Sequence, residues 1–357
     1  MNMRKIFLSL FLALCLLPCT FAAGKVKGYV VGFYNVENLF DTTHDEGKND
    51  YEFTPDGKNV WTKDKYKVKL DNIARVVKAM AEENGKYHSV LGLAEVENDA
   101  VLRDLVAHKD LASAKYKYVH FESPDPRGID CALLYRPDQF KPLESKAIPY
   151  DFNSKRIKFE RDRKQLSSVA TRDILMVRGK LAGEMFAFFV AHMPSRLGDK
   201  GSDMRCRAAE IIYDCAMQLE KDYPGIKIVV MGDMNDNPED ESMVEYLRGK
   251  ESLQQVKAGD FFDPFLKMHK DGFGSEEYKG DWNIFDIIMV NSALADRESK
   301  GLKIQKSDKT HYGYVFKRDF LTQQSGRYKG TPWRTFSNGE FIKGYSDHYP
   351  TYIVISK

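Results

Sequence analysis

Residues 185–192 read Met-Phe-Ala-Phe-Phe-Val-Ala-His, an unbroken apolar run closed by one polar residue. A run this short and without alternation predicts a strand buried on both faces. A chain containing it must cover both sides of a sheet. The rest of the sequence supplies that cover. Apolar segments at 29–34, 89–94, 169–177, 226–231, 284–290 and 350–355 predict further strands. Residues 65–83 predict a helix with Val68, Ile73, Val76, Val77 and Met80 in one stripe. Residues 102–108 predict another after the Asn98-Asp99 start signal, and 202–219 a third. Residues 116–121 and 129–135 predict strands paired across the turn at 124–128. Strand and helix alternate in two halves. That pattern predicts an α/β four-layered sandwich, with two mixed sheets packed face to face and helices outside. Residues 141–166 and 293–343 are polar and irregular and predict surface loops or hairpins.

The N-terminus points to export. Arg4 and Lys5 precede an apolar run over 6–17, Pro18 breaks it, and small residues follow at Thr20 and Ala22. This is the pattern of a secretory signal peptide, with cleavage expected after Ala22. The apolar run is shorter than the roughly 20 residues a membrane span needs, so no transmembrane segment is expected in the mature chain. Leu14 and Pro18 stand before Cys15 and Cys19 and are poor for lipoprotein processing, so lipidation is the weaker alternative. Residues 23–357 show no long Gly/Ser/Pro linker and are expected to form one domain, as a monomer.

Removing the leader takes Arg4 and Lys5 from the 54 bases and leaves 52 against 52 acids. Bulk charge therefore gives no argument for a nucleic-acid partner. Of 5 cysteines, Cys131, Cys206 and Cys215 remain, which is no disulfide scaffold.

Polar residues close the buried strands at five places. Asn35 and Glu37 follow the first strand, Glu95 ends Leu-Gly-Leu-Ala-Glu, and His192 ends the run described above. Asp233 and Asn235 follow Val-Val-Met-Gly, and Asp347 and His348 precede the last strand. Strand ends on a rigid scaffold are where such folds gather their sites. Each residue alone has an ordinary explanation as a cap, a turn or a solvated acid; their joint order at strand ends does not. The mix suits cleavage of a phosphate ester by water. A phosphate ester is anionic and repels hydroxide, so a hard cation held by carboxylates must neutralise that charge. Glu95 and Asp347, helped by Asn35, suit the cation. Asp233 suits the base that orients water, and Asn235, His192 and His348 suit donors to the charge developing on phosphate oxygens.

These motifs resemble the endonuclease/exonuclease/phosphatase superfamily, which has the DNase-I-like fold. The matching stretches are Asn35-Val36-Glu37-Asn38, Ala94-Glu95-Val96, Gly128-Ile129-Asp130, His192-Met193-Pro194-Ser195-Arg196, Gly232-Asp233-Met234-Asn235, the segment from Trp282 through Asp286 to Ile288, and Ser346-Asp347-His348-Tyr349-Pro350. The resemblance implies that Glu95 binds metal, with Asn35 and Asp347 beside the cation, and that the ion is Mg2+ or Mn2+. It implies that Asp233 orients the attacking water, that Asn235 and His192 contact phosphate, and that Asp286 pairs with His348. Ala94 stands where many members carry Gln, which argues against a DNA-repair-type enzyme.

A metal-dependent hydrolase of phosphate esters, of phosphodiesterase or endonuclease type, is the expected function. A sphingomyelinase-like lipid phosphodiesterase and an inositol or sugar phosphatase are the alternatives, and a non-catalytic binding protein is a further one. The partner is a phosphate-ester substrate, with nucleic acid among the candidates. Basic residues at 155–164 and Lys303, Lys306, Lys309, Arg327, Lys329 and Arg334 could track a nucleic-acid backbone. Residues 261–266, Phe-Phe-Asp-Pro-Phe-Leu, are the one candidate for an exposed aromatic hairpin in a lipid enzyme, and core packing explains them equally well. If the leader is cleaved, N-terminal sequencing should find mature protein starting near Ala23 in an envelope or external fraction. An intact Met1 on cytoplasmic protein would overturn the export reading.

Overall fold

The computed structural model describes residues 27–159, 165–166, 169–196 and 201–357. The leader expected at 1–22 and the bases Arg161, Arg163 and Lys164 lie outside the described residues. The first sheet is built on β1 (Tyr29–Leu39), β2 (Val90–Val96), β3 (Lys117–His120) and β4 (Asp130–Tyr135). The second is built on β5 (Phe140–Ile148), β6 (Ile174–Leu181), β7 (Glu184–His192), β8 (Lys227–Asp233) and β9 (Asp286–Asn291). The last strand, β10 (Thr351–Ser356), returns to the first sheet and lies antiparallel beside β1. The first sheet runs Lys303–Ile304, β10, β1, β2, β4, β3, and the second β5, β6, β7, β8, β9, Phe261–Phe262, Gly249–Lys250.

Each sheet has one parallel pair at its centre, β1 with β2 and β7 with β8. A parallel pair needs a crossover, and a helix supplies it: α1 (Lys63–Asn84) in the first sheet and α3 (Ser202–Asp222) in the second, with α2 (Asp99–Ala107) following β2. Local sequence sets these ends. Thr62 caps α1 by accepting from Lys65 N, and Gly85 closes it at φ 69°. Asn98 caps α2 by accepting from Ala100 N and Val101 N.

Strand alternation sorts the core into layers. Val30, Tyr34, Leu91, Leu93 and Leu134 pack under Ile73, Val76, Val77 and Met80 of α1 and Val101, Leu102 and Leu105 of α2. Val31, Phe33, Val90 and Leu133 point the other way, into a core shared with Phe186, Phe188, Val229, Met231 and Ile288. Cys206, Ala208, Ala209 and Ile212 of α3 belong to that same core. The result is the expected sandwich of helices, sheet, sheet and helices.

Two expectations need correction. Residues 141–148 are not loop: they belong to β5, an edge strand paired only with β6. Its exposed Lys141 and Lys146 and half-buried Glu144 read as loop because an edge strand faces water and carries charge. Phe261 and Phe262 are not exposed either. They pair with β9, and together with Phe265 they are at most 2% exposed, so this segment offers no aromatic hairpin to a membrane. Among the described residues no helix is long and apolar enough to cross a membrane.

Two glycines report how tightly the layers meet. A Cβ at Gly92 would lie 2.7 Å from Met231 Sδ across the sheet interface. A Cβ at Gly232 would lie 2.1 Å from the Ala191 carbonyl oxygen. The thioether can move and the backbone cannot. Gly232→Ala should therefore cost about 1–3 kcal/mol or more, and Gly92→Ala clearly less. Denaturant unfolding of both variants checks the order; equal costs would contradict this packing.

Candidate active site

The strand registers bring the polar strand ends together. In the second sheet His192 of β7, Asp233 of β8 and Asp286 of β9 are direct neighbours in one row. In the first sheet Asn35 of β1 sits opposite Ala94, one residue before Glu95. The ladders β1–β2 and β2–β4 both shift register there. Glu37, Asn38, Glu95 and Asn235 all adopt positive φ, between 48° and 63°. Non-glycine residues hold that conformation only where the surroundings enforce it. These distortions turn the first sheet's strand ends toward the second sheet.

Asn35 spans the gap. Its Nδ2 donates to Glu95 Oε1 at 3.2 Å and to Asp233 Oδ2 at 2.9 Å, while its Oδ1 accepts from Glu37 N at 2.9 Å. Glu95 Oε2 accepts from Asn38 N at 3.0 Å. Asp233 Oδ1 accepts from Asn235 N at 3.0 Å, and Asn235 Nδ2 donates to the Met193 carbonyl at 3.0 Å. Two histidines flank Asp233 Oδ2, with His192 Nε2 and His348 Nε2 each 3.7 Å away. His192 Nε2 also lies 3.8 Å from Glu95 Oε1.

The histidines differ in what surrounds them. Burial and the nearby Arg172 and Arg127 hold His192 well below the usual imidazole range. Burial also disfavours charge on His348, but Asp286 and Asp233 overcome it and raise the group well above that range. Asp286 Oδ2 lies 2.7 Å from His348 Nδ1 and accepts from Ser275 Oγ at 2.6 Å, which fixes the ring. Burial pushes Asp233 up to about 6, with His348 pulling against it and Asp286 adding to it.

All eight expected site residues therefore gather at one end of the sandwich. The structure adds neighbours that spacing does not reveal. Glu276, in the hairpin Glu276–Tyr278 with Asp281–Asn283, pairs its backbone with His348, and burial pushes its carboxyl up to about 7. Arg334 Nη2 donates to Asp347 Oδ2 at 2.6 Å. Lys69, fully buried in α1, donates to Thr335 Oγ1 at 2.5 Å and the Tyr345 carbonyl at 2.8 Å, with Glu37 Oε2 at 3.8 Å. Glu37 was visible in sequence as a strand-end acid. Glu276, Arg334 and Lys69 lie far along the chain from their partners, and no local pattern marks them.

The donor set suits a hard divalent cation. Carboxylates outnumber cationic side chains, and all the acids are oxygen donors. Glu95 and Asp347 are the most open of the core carboxylates, with side-chain exposures of 15% and 29% against 4% for Asp233. Two other groupings with acidic members are Asp45 with Asp50 and Glu97, and His120 at the end of β3 with Glu122 and with Asp130 at the start of β4.

A sequence model described as the Endonuclease/Exonuclease/phosphatase family matches residues 30–357. Among solved structures, mannosyl-6-phosphatase of Bacteroides thetaiotaomicron is 16% identical, covering 92% of this chain and 100% of that one, at TM-score 0.54. An endonuclease/exonuclease/phosphatase family protein of the same organism is 15% identical, covering 92% and 95%, at TM-score 0.53. D. rerio TDP2 in complex with a single strand DNA product is 15% identical, covering 93% and 100%, at TM-score 0.53. At such identities the likeness is one of fold, the DNase-I-like α/β sandwich. No curated protein matches the chain in sequence.

The Asp286–His348 contact makes a measurable claim in any assay of phosphate-ester cleavage. His348→Ala should lower kcat on the order of 10²–10³-fold, the usual size for one donor to a developing oxyanion. Asp286→Asn should cost less, and the double variant little more than His348→Ala alone. Additive losses would show that Asp286 acts independently of the imidazole.

Proposed function

The chain belongs to the Endonuclease/Exonuclease/phosphatase family, and from that premise we propose an exported enzyme that uses the Asn35–Glu95–Asp233–His348 centre to break a phosphate ester with water. Metal-dependent hydrolysis of phosphate esters is the reaction class of this enzyme. The observation that carries the assignment to this centre is the Asn35 amide, which brings a carboxylate of each sheet to one point beside two histidines. Export rests on the N-terminal leader pattern.

Glu95 and Asp347 would hold the cation, with Asn35 beside it as a positioning group because its amide N–H groups, not its oxygen, face the carboxylates. The carboxylate oxygens favour Mg2+ or Mn2+ over softer metals. When bound, the ion supplies charge neutralisation at the phosphate and polarises an oxygen. The chain's own groups do the rest. Asp233, aligned by Asn35 and the Asn235 amide, orients a water and takes its proton. His348, held by Asp286, presents Nε2 to a phosphate oxygen, and His192 and Asn235 offer further donors. Arg334 keeps Asp347 oriented and is half-exposed at the solvent edge.

Phosphodiester cleavage, including cleavage of nucleic acid, remains the broader reading from sequence, and D. rerio TDP2 binds a single strand DNA product on the same fold. Of the expected basic residues Arg334 lies at the site, but the positions of Lys303 and Arg156 weaken a long nucleic-acid track. Lys303 pairs with Ser356, at the end of β10 opposite His348, so Lys303 and its neighbours sit about 20 Å from the site along a six-residue strand. Arg156 is engaged with Glu210 and the Tyr246 ring.

Chelation should abolish hydrolysis, and Glu95→Gln should raise the metal concentration needed for half-maximal rate. Asp233→Asn should lower kcat by about 10²–10⁴-fold. Full activity in excess chelator would overturn the reaction class. Wild-type kcat in Asp233→Asn would remove that residue as the base.

A further inference from the structure

The loop between β3 and β4 meets the site from the side opposite Arg334. β4 begins at Asp130, whose Cα pairs with Val96, the residue after Glu95. The loop preceding it, 123–128, is therefore at the mouth of the site. Asp125 organises it. Its Oδ1 accepts from Arg127 N at 2.9 Å and lies 3.4 Å from Arg127 Nε, while its Oδ2 accepts from Arg172 Nη1 at 3.1 Å. Asp125 is 2% exposed and Arg172 6%, whereas the Arg127 side chain is 52% exposed.

Arg172 couples this loop to the reacting groups. Its Nη2 donates at 2.8 Å to the Met193 carbonyl, which also accepts from Asn235 Nδ2 at 3.0 Å. Its Nε is buried and makes no hydrogen bond to any described residue. Arg172 and Arg127 are also the two guanidinium groups whose charge reaches His192. Two arginines share one aspartate, so the cluster keeps one positive charge in excess, and Arg127 presents it to solvent. The remaining acids nearby are otherwise occupied or disfavoured as anions: Asp130 is held by His120 and Ser123 N, and burial pushes Asp173 up.

Resting on the hydrolase reading, we propose that Arg127, positioned by Asp125 and backed by Arg172, forms an anion subsite beside His192 that selects phosphate monoesters over diesters. A monoester carries about −1.5 to −2 charge at pH 7 because its second pKa is near 6, and a diester carries −1. The centre itself is rich in carboxylates, which repel the additional charge. A guanidinium at the rim offers the paired N–H groups that match two terminal phosphate oxygens. A diester keeps two terminal oxygens where a monoester keeps three, and with two facing the cation and His348 only the monoester leaves an oxygen, and its extra charge, for Arg127. Arg127 is thus a specificity-determining residue, and Arg172 and Asp125 are positioning residues.

The test compares p-nitrophenyl phosphate with p-nitrophenyl methyl phosphate, which share a leaving group, using the full mature chain with Mg2+. In Arg127→Ala the ratio of kcat/KM for monoester to diester should fall about 10- to 100-fold, the size of a lost charge-assisted hydrogen-bond pair. Arg127→Lys should recover part of it, and Arg172→Lys should lower the same ratio. An unchanged ratio, with both esters losing equally, overturns the proposal. Calorimetric titration with orthophosphate supplies a second readout independent of turnover: affinity should weaken by a similar factor in Arg127→Ala, and unaltered affinity also overturns the subsite. Should the wild-type chain cleave neither ester, the hydrolase reading falls while the phosphate titration still decides the subsite.

Discussion

Asn35 Nδ2 donates to Glu95 on one sheet and to Asp233 on the other, side chains that start 198 residues apart in the case of Asp233. Two carboxylates converging in a nearly dry space repel each other strongly, and only an interposed donor makes the arrangement tolerable. The amide supplies two N–H groups and no charge, so it links the acids without neutralising them. Their negative charge stays available to a cation. The positive-φ backbone at Glu37, Asn38 and Glu95 accompanies the same arrangement, since a regular strand would send successive side chains to opposite faces of the sheet.

A second set of contacts keeps the last quarter of the chain against this centre. Lys69 reaches from α1 into a fully buried position to hold Thr335 and Tyr345. Asn72 donates to the Lys343 and Gly344 carbonyls, and Arg75 donates to the Tyr345 hydroxyl. Burying a lysine is costly unless its donors are matched. Here two oxygens accept from it and Glu37 stands at 3.8 Å. The cost is tolerated because one helix then sets the approach of the segment bearing Arg334 and Asp347.

Much of this is legible in the amino-acid order, for a specific reason. His192, Asp233, Asp286 and Glu95 lie at or next to the ends of apolar strands and Asn35 closes the apolar part of β1. The parallel pairs β1–β2 and β7–β8, and the antiparallel start of β9 beside the end of β8, place them side by side. The α1 stripe and the caps at Thr62 and Asn98 are local signals as well. What escapes is of two kinds. The edge strand β5 is charged because it faces water, so it looks like loop. Glu276, Arg334, Lys69 and the Arg127–Asp125–Arg172 cluster depend on contacts between distant loops, for which no periodicity exists. The run at 261–266 was open in sequence, as aromatic residues that fill a core are indistinguishable in order from ones offered to a surface, and the structure puts it in the core.

The placement of β10 beside β1 has a bearing on timing. A ribosome delivers β1 first, along with Asn35, and delivers Asp347, His348 and β10 more than 300 residues later. Through that interval one side of β1 has no partner, and long-range pairing of this kind is slow to form. The nascent chain thus lacks His348 and an intact first sheet until β10 has emerged. A polypeptide that cannot close its first sheet until β10 has been made keeps its reactive centre in pieces until that strand is in place.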